Sequence, residues 1–148
     1  MRKRSMMSRQ LKQMMHQVMN NMCETNEEVL CNVYGMVYRD KLFGVMKGKP
    51  AEMFAGITSS GKLLIYYNEN FGTSQVTEVY PLSCATKLKI KDPNFLGITN
   101  ISIKFNENGK KSSLDLSIAN EVDNCDLDEQ PRNLDRMIRE LRRKTKLY

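Results

Sequence analysis

The chain has 148 residues, 41% of them apolar, and 23 Lys and Arg against 17 Asp and Glu give it a net charge of +6. That length suits one domain with a short appendage and a real core, which makes stapling by disulfides or metal unnecessary. No stretch approaches the roughly 20 apolar residues that cross a bilayer, and Met6 to Met22 is interrupted by Ser8, Arg9, Gln10, Lys12, Gln13, His16 and Gln17. The expectation is a cytoplasmic protein with no signal peptide.

The first predicted element is a helix. Met7, Leu11, Met14, Met15, Val18 and Met22 recur at helical spacing on one face. Seven of the eleven methionines fall in residues 1–22, and methionine packs adaptably against irregular or exchangeable surfaces. Residues 1–22 also hold Arg2, Lys3, Arg4, Arg9 and Lys12 without one acid. Such a helix requires a partner: its own domain, a second copy, another protein or a membrane surface. Asn20 and Asn21 weaken it, and Thr25 with Asn26 marks a turn. Residues 1–26 are therefore read as helix plus linker, and 27–148 as the domain.

Seven strands are expected next. Val29 to Tyr38 is apolar on both faces, and a turn-prone stretch from Arg39 to Pro50 follows, with room for a short strand near Leu42 to Met46. Met53 to Thr58 and Lys62 to Tyr67 flank a tight Ser59-Ser60-Gly61 turn. Asn68 to Thr73 reads as a loop, and Gln75 to Tyr80 is stopped by Pro81. The clearest patterning comes last. Leu88 and Ile90 alternate with Lys87, Lys89 and Lys91; Ile101, Ile103 and Phe105 alternate with Asn100, Ser102 and Lys104; Leu114, Leu116 and Ile118 alternate with Ser113, Asp115 and Ser117. A period of two is the signature of half-buried antiparallel strands, here Ala85 to Lys91, Gly97 to Phe105 and Ser112 to Ala119. Asp92-Pro93-Asn94 forms one turn, and Asn108-Gly109 favours a primed hairpin in the next.

An acidic run from Glu121 to Glu129 leads into a final helix. Pro131 suits its first turn, Leu134, Met137, Ile138 and Leu141 form its apolar stripe, and cations gather toward its C-terminus.

This order, with certain segments, resembles the bacterial pleckstrin-homology-like (PH-like) family. The segments are Glu27-Glu28-Val29-Leu30, the hairpin Gly56 to Tyr67, Val79 to Thr86, and the helix Leu134 to Leu141, so the likeness spans residues 27–144. The hairpin departs from the family pattern by carrying Ser59 and Lys62 where Asn and Arg are usual. The resemblance implies a mainly β, α+β fold: a seven-stranded antiparallel barrel of two near-orthogonal sheets, capped by the C-terminal helix, with the N-terminal helix added. It also implies a non-catalytic role, without cofactor or small-molecule substrate.

The residues themselves offer little chemistry. His16 is the only histidine and has no carboxylate near it in sequence, so a positioned general base is not expected. Cys23, Cys31, Cys84 and Cys125 form no CxxC pair and read as buried free thiols in a reducing compartment. The acidic run lacks the spacing and the glycine of a calcium loop. The leading expectation is protein–protein interaction or self-association, with Met7, Leu11, Met14, Met15 and Val18 supplying apolar contact area and Arg2, Lys3, Arg4 and Arg9 adding attraction. An alternative is peripheral binding of acidic phospholipid through Arg39, Lys41, Lys47 and Lys49 in the first hairpin loop. A weaker one is nucleic-acid binding by Lys87, Lys89, Lys91 and Lys104 on one sheet face.

Overall fold

The computed structural model describes residues 2–39, 50–69, 74–122 and 126–147. The expected helix is α1, Arg2–Met22, and it runs through Asn20 and Asn21 without a break. The strands are β1 (Val29–Arg39), β2 (Ala51–Thr58), β3 (Lys62–Glu69), β4 (Ser74–Pro81), β5 (Ala85–Lys91), β6 (Ile98–Glu107) and β7 (Lys110–Ala119), and the last helix is α2, Gln130–Thr145. A 3-10 turn at Leu82–Cys84, which patterning did not disclose, joins β4 to β5. The short strand expected near Leu42 to Met46 lies outside the described residues.

The sheet order is β4-β3-β2-β1-β7-β6-β5, and every neighbouring pair is antiparallel. The two sheets that the resemblance implies are continuous here: β1–β4 and β5–β7 run into one another through β1 and β7 to make one seven-stranded sheet. This is a mainly β, α+β fold consistent with a PH-like barrel. The joint is short, pairing Met36, Val37, Tyr38 and Arg39 with Ser117, Leu116, Asp115 and Leu114. Gly35 sits beside it because a Cβ there would fall 2.6 Å from the carbonyl oxygen of Ser117. Only a residue without a side chain lets the backbones approach so closely.

Alternation sends one residue of each pair inward. Val33, Ile57, Ile65, Ile103, Leu116 and Ile118 meet in the main core, and α2 closes it with Leu134, Met137 and Leu141. Pro131 lies in the first turn of α2, and Arg142, Arg143 and Lys144 occupy its last turn, where they complement the helix dipole. Tyr80 and Phe105 stack at 4.8 Å between the two strand sets.

One buried polar side chain locks the joint. Beyond Met36 and Ser117 the β1–β7 ladder stops, and Gln130, at the start of α2, takes over. Its Oε1 accepts from the Tyr34 amide at 3.1 Å, and its Nε2 donates to the carbonyls of Tyr34 at 2.6 Å and Ala119 at 3.1 Å. The side-chain amide thereby replaces a missing rung, satisfying backbone groups that are costly to bury unpaired.

Candidate functional site

Two regions of the outer surface have the make-up of working surfaces. The first is the seat of α1. Outward residues of β1, β2 and β3 bring together Tyr34, Phe54, Leu64 and Tyr66, with Phe54 and Tyr66 stacked at 5.6 Å and Tyr34 at 6.1 Å from Phe54. Apolar residues on this side of the sheet require a cover, and Met15 and Met19 of α1 supply it. Gly56 makes room: a Cβ there would come within 2.8 Å of the Met19 Sδ and 3.2 Å of the Cys31 carbonyl oxygen. Leu127 joins the same cluster, and Lys12 reaches Glu129 at 4.0 Å.

The linker after α1 is pinned to the β2–β3 turn. The Glu24 amide donates to Glu27 Oε1 at 2.7 Å, the Ser60 hydroxyl donates to Glu27 Oε2, and Lys62 Nζ lies 3.3 Å from the same carboxylate and 3.4 Å from that of Glu24. The bond from the Glu24 amide, then that from Ser60 and the Lys62 charge, hold the Glu27 carboxyl down at about 2. Hydrogen bonds to the ionised form have that effect.

The five helix residues expected to meet a partner therefore divide. Met15 is buried against the barrel, Leu11 and Val18 are half-buried along its margin, and Met14 is 47% exposed. The side chain of Met7 lies outside the described residues. Of the lipid-binding candidates, Arg39 ends β1 but its side chain is outside the described residues, as are Lys41, Lys47 and Lys49 altogether.

The second region is the outer face of β5, β6, β7 and the end of β1. Register sets Lys87 beside Lys104 and Ser113; Lys89 beside Ser102, Asp115 and Tyr38; and Lys91 beside Asn100, Ser117 and Met36. The four lysines do share a face, as the alternation required, and none forms an ion pair with a described residue. Ser102 donates to Asp115 at 2.6 Å and Ser117 donates to Asn100 at 2.7 Å. Tyr38, Lys89, Lys91 and these polar side chains line an open hollow of about 340 Å³.

At one end of this face the β5–β6 connection projects Phe95, 95% exposed, and Leu96, 66% exposed. The sequence pattern puts the turn at Asp92-Pro93-Asn94 and the start of β6 at Gly97. The strand begins at Ile98, and Gly97 turns the chain with a φ of 75°. The signal was present as an apolar pair between two turn formers, but such a pair also suits the start of a strand.

Among the described residues the cysteines and the histidine do not gather. Cys31 is buried, which pushes its thiol up to about 11, and burial also raises Cys23. Cys84 is half-buried and free, Cys125 lies outside the described residues, and His16 is exposed on α1. Among the described residues no three His, Cys, Asp or Glu side chains are grouped to hold a metal ion. Among them, too, no helix is long and apolar enough to cross a membrane.

No protein-family model and no curated protein matches this sequence. Among solved structures the chain is similar to the hSac2 domain from the human phosphoinositide phosphatase Sac2, at 9% identity and a TM-score of 0.54, over 92% of this chain and 81% of that one. That likeness shows a shared fold. SsgB, whose mutations correlate to longitudinal cell division during sporulation of Streptomyces coelicolor, aligns over 82% of this chain and 90% of its own at 7% identity, and its TM-score of 0.38 is too low to carry an argument.

Proposed function

We propose that this chain is a non-catalytic, PH-like binding module that associates with a second copy of itself through α1. One observation carries the reading: the apolar stripe of α1 is wider than its seat. Met15 and Met19 are buried on the barrel and Leu11 and Val18 pack partly against the same cluster, while Met14, on the ridge between Leu11 and Val18, is 47% exposed. By spacing, Met7 continues that ridge. A stripe of apolar residues at i, i+3 and i+4 is the means by which helices recognise one another.

Charge favours one arrangement. All the cations of residues 1–22 lie at or before Lys12, and residues 13–22 carry no charge. An antiparallel pair of helices sets the basic end of one against the neutral end of the other and so avoids like-charge contact. The ridge is narrow, so the expected dimer is a weak one. Light scattering after gel filtration tests it. The full chain should show a mass that rises with concentration, and Met14→Asp should run as a monomer with unchanged circular dichroism. A single mass shared by both proteins at all concentrations would refute the reading.

A further inference from the structure

We infer that the β5–β6 tip is a wedge that enters the interface of an anionic lipid bilayer, with Phe95 and Leu96 as the inserted side chains and Lys89 and Lys91 on the headgroups. The site is separate from α1, and the inference does not depend on self-association.

Three observations carry it. Phe95 and Leu96 stand out from the protein on a convex tip, so they gain burial from any deformable apolar phase without needing a matching pocket. A protein partner would have to supply that pocket.

The tip also pairs several of its own backbone groups. Asn94 Oδ1 accepts from the amides of Leu96 at 2.9 Å and Ile98 at 3.1 Å. The Asn94 amide donates to the Ile98 carbonyl at 3.1 Å, the Gly97 amide to the Asn94 carbonyl at 2.8 Å, and the Asn120 amide to the Gly97 carbonyl at 2.8 Å. These bonds lower the cost of taking the loop out of water, because an unpaired backbone group in an apolar phase costs several kcal/mol. They also restrain the loop, which lowers the entropy lost on binding.

The third observation is charge. Lys91 adjoins the tip and Lys89 is two residues, roughly 7 Å, further along the strand; both point to the outer face and lack ion pairs with described residues. Asp92 follows Lys91, Glu121 follows Asn120 and Asp115 lines the same hollow as the two lysines, while the chain as a whole carries +6. Lysines near an anionic surface attract it, and the attraction decays within a Debye length.

The chain has no tryptophan, so Phe95→Trp makes a single reporter at the tip. The probes are vesicles of phosphatidylcholine alone and of phosphatidylcholine with 30% phosphatidylserine. With the anionic vesicles the Trp emission should shift to the blue and the full chain should co-sediment. The double variant Phe95→Ser/Leu96→Ser should lose roughly 30-fold or more in partitioning, and Lys89→Glu/Lys91→Glu about 10-fold at low salt. Because all four side chains are at the surface, circular dichroism should be unchanged in both.

An unshifted Trp emission with no co-sedimentation overturns the inference and leaves the tip to a protein pocket. Equal sedimentation of wild type and the Phe95/Leu96 variant also overturns it, since the tip is then not the anchor. Equal binding to neutral and anionic vesicles removes the part assigned to the lysines. Met14→Asp, monomeric or not, should retain the emission shift when combined with Phe95→Trp, which separates this result from the fate of the self-association reading.

Discussion

On the outer face of β1–β3 stand Tyr34, Phe54, Leu64 and Tyr66, and α1 lies over them. On the outer face of β5–β7 stand Lys89, Lys91, Asn100, Ser102 and Ser117, and they line an open hollow. The same period-two strand produces both, because alternation guarantees two faces and composition alone decides which of them can bear water. Where both faces of a strand are apolar, a second layer must be recruited. Where the outer positions are Lys, Ser and Asn, the face remains available. The added helix is thus a structural consequence of an apolar outer face as well as a surface in its own right.

The largest effects should come from uncovering the covered face. Met19→Ala removes a fully buried side chain and should cost about 3 kcal/mol in denaturant unfolding. It should also raise the exchange rate of the α1 amides far more than those of β6 and β7. Gln130→Ala comes next, since it strips three hydrogen bonds from buried backbone at the joint between the two faces. A loss of about 2 kcal/mol is expected from equilibrium unfolding.

Acid should also loosen the covered side first. Glu27 is held down at about 2 against an ordinary value of 4.5. Its contribution is therefore full above about pH 4.5 and is lost as the pH falls toward 2. The thermal midpoint of the wild type should drop more steeply across that window than that of Glu27→Gln, which has nothing there to titrate. The smallest effect is expected on the open face. Lys89→Glu/Lys91→Glu should change unfolding free energy by no more than about 0.5 kcal/mol, so any loss of binding in that variant reflects recognition and not folding.

The strands were legible because burial imposes a strict period, and the lysine face followed from pairing β5 with β6. The stripe of α1 was equally legible, but not its destination. Val29 to Tyr38 reads as apolar on both faces, and the structure gives the reason: Val33 and Val37 face the core while Tyr34 faces the helix. Asn20 and Asn21 weaken a helix in isolation, yet packing of Met19 and Met22 on the barrel carries it through them. Gln130 was invisible, since one glutamine ahead of a proline gives no hint of three backbone partners distant in sequence. The exposure of Phe95 and Leu96 is a property of the folded tip, not of the residue types.

Methionine oxidation, read residue by residue by mass spectrometry at low and high protein concentration, tests the account of α1 most directly. Exposed methionines become sulfoxides readily and buried ones do not. Met15 and Met19 should oxidise slowly at both concentrations, and Met14 should oxidise fast in dilute solution and slow in concentrated solution. Oxidation of Met19 as fast as Met14 would contradict the seating of the helix on its own barrel, and a Met14 rate indifferent to concentration would contradict its pairing with a second copy.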